Sequence, residues 1–248
     1  MSNTTMTNSP VYTLPDTPIN VCILKRPSAF CKTPYVADIM VDNIPHMAHC
    51  PALGCCGLSD KSSQVLVVPI PQRNNKSTKT SPKQEPKCTY RVELAVYEER
   101  DQSVLVGINP KLAETLMDRL LTLQMCPFLP NVQSYGREKK YLNSRFDFAG
   151  IDQHGRPFVM EIKNVPLADY VDVPKKDRKK YQTDHIPFHE KIAYFPDGYR
   201  KNSTDVVSPR ALKHIQELEI ILQNENDAPN PTPNPKQKGG RKNGDRKN

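Results

Sequence analysis

The stretch SRFDFAGIDQHGRPFVMEIKNV, residues 144 to 165, constrains this chain more than any other. Two runs that alternate apolar and polar residues flank the turn-forming DQHG, the pattern of antiparallel, half-buried strands joined by a short loop. Side chains alternate across a strand, so Phe146 and Phe148 are expected on one face, and Phe158, Met160 and Ile162 on one face of the partner. Setting those apolar faces together fixes the register, because a slip of one residue would turn one set into water. Opposed residue numbers then sum to about 308, so that Phe148 faces Met160 and Asp147 faces Glu161 on the other side. Lys163, two residues past Glu161, joins that surface close to Arg145.

Two carboxylates a few ångströms apart repel unless a cation lies between them. A hard divalent ion, Mg2+ or Mn2+, takes carboxylate, water and phosphate oxygens together. Such an ion polarises a phosphodiester and generates a hydroxide nucleophile, while a nearby lysine orients the water or stabilises the developing charge. Asp147, Glu161 and Lys163 are therefore the candidate catalytic set, with Asp147 and Glu161 as metal ligands. A Glu-x-Lys triplet alone says little, since Glu and Lys alternate on many solvent-facing strands. The weight comes from an aspartate placed opposite it by an independent hydrophobic argument.

Elsewhere the chain divides by pattern. Residues 1–18 are polar and expected to be disordered. Residues 19–93 hold the β-rich runs VCIL, YVADIMV, VLVVPI and the start of TYRVELAVYEE, interrupted at 71–87 by a stretch without an apolar face that reads as a mobile loop. VLVGI is a further strand. Asn109 and Pro110 open a helix with an apolar stripe at Leu112, Leu116 and Leu120, and a second helix is expected from about Ser208–Pro209 to Gln223. Residues 224–248 form a basic, Pro- and Gly-rich tail expected to be disordered. An α+β chain follows: a small β-barrel over 19–93, then an α/β domain over 94–223.

The formal charge of +8 favours a polyanion such as nucleic acid, although about +5 of it lies in residues 236–248, where a solubilising tail is the plainer reading. No apolar run is long enough to span a bilayer, and the N-terminus has no signal-peptide pattern, so an intracellular, cytoplasmic chain without a membrane partner is expected. Seven cysteines, an odd count, read as reduced thiols. His46, His49, Cys50, Cys55 and Cys56 can be drawn as a zinc site, but no paired Cys-x-x-Cys spacing supports it.

An ordered set of motifs resembles the sugar fermentation stimulation protein A family: KRPSAF (25–30), HCPALGCCGL (49–58), KCTYRVEL (87–94), VGIN (106–109), SRFDF (144–148), EIKNV (161–165), YFPD (194–197) and KHIQEL (213–218). The resemblance implies an N-terminal OB-like barrel, a PD-(D/E)xK nuclease-like domain and sequence-nonspecific DNA binding. By motif position it implies Asp147, Glu161 and Lys163 as the metal and catalytic set, and Arg145 as a conformational or phosphate contact. Asp197, Arg210, Lys213 and His214 match later motifs, with Arg210 and Lys213 as nucleic-acid contacts and helix packing as the plainer role of His214. An OB-like domain would offer Phe30, Lys32 and Tyr35 to a strand. Glu114 or Asp118 on the first helix could add an acidic ligand, or lie on a solvated face. The chain departs from the family at Ala52-Leu53, where the family has Asn-Thr, and in a basic insertion over 168–193. The leading expectation is a metal-dependent nuclease acting on DNA; the alternative is a non-catalytic DNA-binding or regulatory module on the same fold.

Overall fold

In the computed structural model of the chain, residues 10–53, 55, 57–71, 88–99, 102–165, 180, 186, 190 and 209–224 are described. They form a sheet-rich α+β structure: β1 (Ile19–Lys25), β2 (Val36–Val41), β3 (Ile44–His49), β4 (Gln64–Pro69), β5 (Tyr90–Glu99), β6 (Gln102–Gly107), α1 (Pro110–Thr122), β7 (Ser134–Tyr141), β8 (Ser144–Ile151), β9 (Pro157–Met160) and α2 (Pro209–Gln223). The chain divides into two compact units, Met1–Leu120 with Ile162–Lys213, and Leu121–Glu161 with His214–Asn248. Strand β5 passes unbroken through residues 93 and 94, where the sequence pattern suggested a division. The expected segments 1–9, 72–87 and 225–248, and most of 168–193 with Asp197, lie outside the described residues.

The first unit is a six-stranded sheet in the order β3-β2-β1-β4-β5-β6, and β3 also pairs with β5, in parallel, through Ala48 opposite Tyr90 and His49 opposite Arg91. Its core gathers alternate residues of successive strands, including Ile23, Ile39, Ala48, Val65, Val67 and Val92. The β2–β3 hairpin turns on Asp42 and Asn43, both with positive φ (50° and 62°), a backbone that suits the right-handed twist of the flanking strands. Arg26 ties three loops of this unit: its Nε donates to the Pro34 carbonyl at 2.7 Å, and its terminal nitrogens donate to the carbonyls of Ser59 at 3.0 Å and Ala52 at 2.6 Å. Buried Glu93 is satisfied from both sides, by Arg91 Nε at 2.6 Å and Asn109 Nδ2 at 2.5 Å. Asn109 also caps α1 as expected, accepting the Lys111 N–H on Oδ1 at 3.0 Å.

The second unit is an antiparallel sheet in the order β7-β8-β9. Tyr141, Phe146 and Ala149 form a buried cluster there, with Val159 of β9 and Leu218 and Ile221 of α2 against it. The DQHG loop joins β8 to β9 as expected, and it is organised by Asp152. One carboxylate oxygen accepts the N–H groups of His154 (2.7 Å) and Arg156 (2.9 Å), while the other meets the Arg156 guanidinium twice at 2.8 Å. Burial alone would raise the Asp152 pKa. The Arg156 and His154 N–H groups and the guanidinium outweigh it and hold the carboxyl below the usual range.

Candidate functional site

The register expected for the β8–β9 pair is the one found: Phe148 faces Met160, Ala149 faces Val159 and Gly150 faces Phe158. Two parts of the expectation need correction. Strand β9 ends at Met160, so no further ladder rung sets Asp147 opposite Glu161. Phe146 and Phe148 also differ in their partners. Phe146 shares the cluster of Tyr141 and Ala149 and lies 5.8 Å from the His214 ring, whereas Phe148 lies 6.1 Å from Tyr135 with Arg137 above it at 5.5 Å. A flat strand puts Phe146 and Ala149, three residues apart, on opposite faces. Their shared cluster means that β8 does not keep one pleat between them.

That irregularity falls at Asp147 and has a visible cause in β7. The ladder pairs Arg137 with Phe148 and Lys139 with Phe146, which brings Glu138 level with Asp147. Glu138 has a left-handed φ of 54°, unusual inside a strand, and the backbone there departs from the regular pleat. As a result, a carboxylate oxygen of Glu138 and one of Asp147 lie within 4.8 Å of each other. Two oxygens on one ion are separated by at most twice the metal–oxygen distance, about 4.2 Å for Mg2+ and about 5 Å for Ca2+, so the pair is within reach of a shared cation after little or no adjustment. Arg145, on the same hairpin, lies 3.8 Å from Glu138, and its side chain is largely exposed.

Glu161 follows β9 and is half-buried, with its side chain turned inward. Its Oε1 accepts a hydrogen bond from His214 Nδ1 on α2 at 2.6 Å, with each side chain only 8% exposed. His214 packs, as its plainer role required, and it also fixes one carboxylate oxygen of Glu161. Lys163 is exposed two residues further on, and Arg210 and Lys213 are exposed near the start of α2. Lys32 and Phe30 are exposed in the β1–β2 loop of the first unit, with Tyr35 43% exposed beside them. Glu114 does not sit on a solvated helix face: it is buried, and its carboxylate takes the Lys111 ammonium at 2.8 Å.

The His/Cys reading finds no support among the described residues, where no three of His46, His49, Cys50 and Cys55 bring ligand atoms together; Cys56 lies outside them. Burial pushes the Cys50 thiol up to about 11 and raises that of Cys55. Burial, helped by the Arg91 and Arg26 guanidiniums, holds His49 below the usual imidazole range. These groups are kept neutral in a core, whereas zinc takes thiolates.

Fold and hairpin together define a sheet-rich α+β protein that presents a close carboxylate pair on a strand irregularity. Residues 111–175 match the family model described as the sugar fermentation stimulation protein RE domain. A sugar fermentation stimulation protein homolog of Idiomarina loihiensis is 28% identical over 192 residues, which cover 76% of this chain and 64% of that relative. Among solved structures, Pyrococcus furiosus SfsA in complex with Ca2+ is similar at a TM-score of 0.43 and 15% identity, over 64% of this chain and 62% of that one. By these matches the chain is similar to the sugar fermentation stimulation protein family, and it spans 64% of the length of the curated relative. Among the described residues, no helix is long and apolar enough to cross a membrane.

Proposed function

We propose that this protein binds DNA without sequence preference along its backbone and hydrolyses phosphodiester bonds with a divalent metal, Mg2+ or Mn2+. The observation that carries the reading is the approach of a Glu138 and an Asp147 carboxylate oxygen to within 4.8 Å, on a hairpin that also presents Arg145. Like charges held this close are costly without a cation between them. The donors are all oxygen, which suits a hard divalent ion. Bound there, such an ion would polarise a phosphodiester and supply hydroxide at neutral pH. Asp147 and Glu138 would hold it, and Glu161, kept in place by His214, is the further acid proposed for the set. Lys163 would stabilise the charge that develops on the phosphate, while Arg145, Arg210 and Lys213 would hold neighbouring phosphates. In these roles the second unit would work within a PD-(D/E)xK-like domain.

The first unit is proposed as an OB-like nucleic-acid-binding domain. Its strand pairings, β1 with β2 and β4, β3 with β2 and β5, and β4 with β5, support that reading. In OB folds the β2–β3 face and the β1–β2 loop contact the strand, and here that loop carries exposed Phe30, Lys32 and Tyr35.

The test is cleavage of single-stranded DNA, duplex DNA and RNA with Mn2+ or Mg2+, alongside Asp147→Ala, Glu161→Ala and Lys163→Ala. Metal-dependent cleavage that each substitution lowers by at least about a hundredfold, as expected for a transition-state electrostatic contact, supports the reading. Salt-sensitive binding with no cleavage under any divalent ion would assign the protein to the non-catalytic alternative.

A further inference from the structure

We propose that Lys140 and Arg145 clamp the phosphate next to the one under attack, so that the hairpin takes two consecutive phosphates of one strand. The inference rests on the nuclease reading above. It adds a substrate requirement and a binding residue, Lys140, to that reading.

The β7–β8 ladder sets Lys140 directly opposite Arg145, between the rungs Lys139–Phe146 and Tyr141–Ser144. Lys140 and Arg145 are exposed, whereas Tyr141, Ser144 and Phe146 are buried. Directly opposed residues of an antiparallel pair share a face, and two cations so placed repel. Only Arg145 finds relief within the hairpin, from Glu138 at 3.8 Å; Lys140 makes no ion pair among the described residues. An anion between the two side chains removes the repulsion, and a phosphate accepts from the ammonium and from the guanidinium fork at once.

The place of this rung gives the anion its role. Glu138 and Asp147 come level two residues further along each strand, a rise of about 7 Å. Residues two apart on a strand share a face. The approach of Arg145 to Glu138 shows that they do so here, despite the left-handed φ of Glu138. The rise is close to the spacing of neighbouring phosphates along a nucleic-acid strand. A strand with one phosphate at the carboxylates therefore brings the next to the basic rung. Beyond the carboxylates on the other side, Arg137 is engaged over the Phe148 ring at 5.5 Å, and the rung after it, Gly136 opposite Ala149, carries no charge. The clamp is one-sided, and its ligand is a run of at least two phosphates.

The experiment is Mn2+-dependent cleavage of a labelled DNA strand in which one internal linkage is a neutral methylphosphonate. Cleavage at the linkages on either side of it is read from one denaturing gel. The full chain is compared with Lys140→Gln and with Lys139→Gln, each checked to melt with the parent. Lys139 faces Phe146 and lies outside the basic rung, so it controls for the loss of one positive charge. In the parent, cleavage on one side of the methylphosphonate should fall below that on the other by on the order of tenfold, the value of two exposed charge contacts together. Lys140→Gln should cut the unmodified strand roughly fivefold more slowly and reduce the asymmetry to about threefold or less, as one contact of the two is lost. Lys139→Gln should keep the parent asymmetry. Equal cleavage on both sides by the parent, asymmetry undiminished in Lys140→Gln, or asymmetry lost equally in Lys139→Gln overturns the clamp and leaves the nuclease reading intact. No cleavage of the unmodified strand overturns the nuclease reading and the clamp with it.

Discussion

The carboxylate pair exists only because β7 and β8 approach closely enough to pair, and Gly150 is where that approach can be broken. A Cβ built at Gly150 would lie 2.1 Å from the Ser134 carbonyl oxygen and 2.8 Å from both Cα and Cβ of Tyr135. The nearest of these is about 1.3 Å short of ordinary contact, and two of the three are backbone atoms that no rotamer change removes. Gly150→Ala must therefore push β7 from β8 or twist the ladder. Overpacking of this kind costs about 1–3 kcal/mol, and the upper end applies here because the obstacle is main chain. For a chain of this size, roughly 2–3 kcal/mol lowers the melting temperature by roughly 5–10 °C. Gly155→Ala is the control: its φ of 78° disfavours a side chain, but nothing lies within 4 Å of the added atom. It should cost about 1 kcal/mol from backbone strain alone. Thermal melts followed by circular dichroism give the comparison. Gly150→Ala melting within 2 °C of the parent, or no lower than Gly155→Ala, would refute the close β7–β8 approach (the thresholds follow from the estimates above).

Two further outcomes follow from single side chains. Asp152→Asn should lower the urea midpoint at pH 7. Because the folded carboxyl sits below its unfolded value, its stabilisation is present above about pH 4 and is lost as pH falls through the folded value, so the difference between parent and variant should shrink as the pH is lowered below that. Arg26→Lys should destabilise the first unit by about 2 kcal/mol, measured by urea unfolding, since one ammonium cannot reach the carbonyls of Pro34, Ala52 and Ser59 that the planar fork serves together.

The parts of the fold written in periodicity were legible in the sequence. The runs VCIL, VLVVPI and VELAVY alternate or sustain apolar residues and became β1, β4 and β5; Asn109-Pro110 and Pro209 opened helices as capping chemistry requires. Strand β3 was hidden by Pro45, which demotes a strand by removing a donor. Strand β7 was hidden by its charge: Arg137, Glu138, Lys139 and Lys140 run together, and the following turn uses Leu142 at a positive φ of 50° in place of a turn-forming residue. Missing β7 meant missing Glu138. Had SYGREKKY been paired with SRFDFAGI through a two-residue turn, Glu138 would have come level with Asp147 by counting alone. The register of β8 on β9 was readable because it rests on hydrophobic burial. The loss of a single pleat at Asp147 was not, since it depends on a backbone angle in the neighbouring strand.

The most direct test of the account is Mn2+ binding to the intact chain, followed by the loss of the free-ion electron paramagnetic resonance signal, with no substrate present. The account requires the parent to take up Mn2+ competitively with Mg2+, and Asp147→Asn and Glu138→Gln each to weaken uptake by at least about tenfold. Uptake unchanged in both Asp147→Asn and Glu138→Gln, or a full free-ion signal beside stoichiometric parent protein, would contradict it.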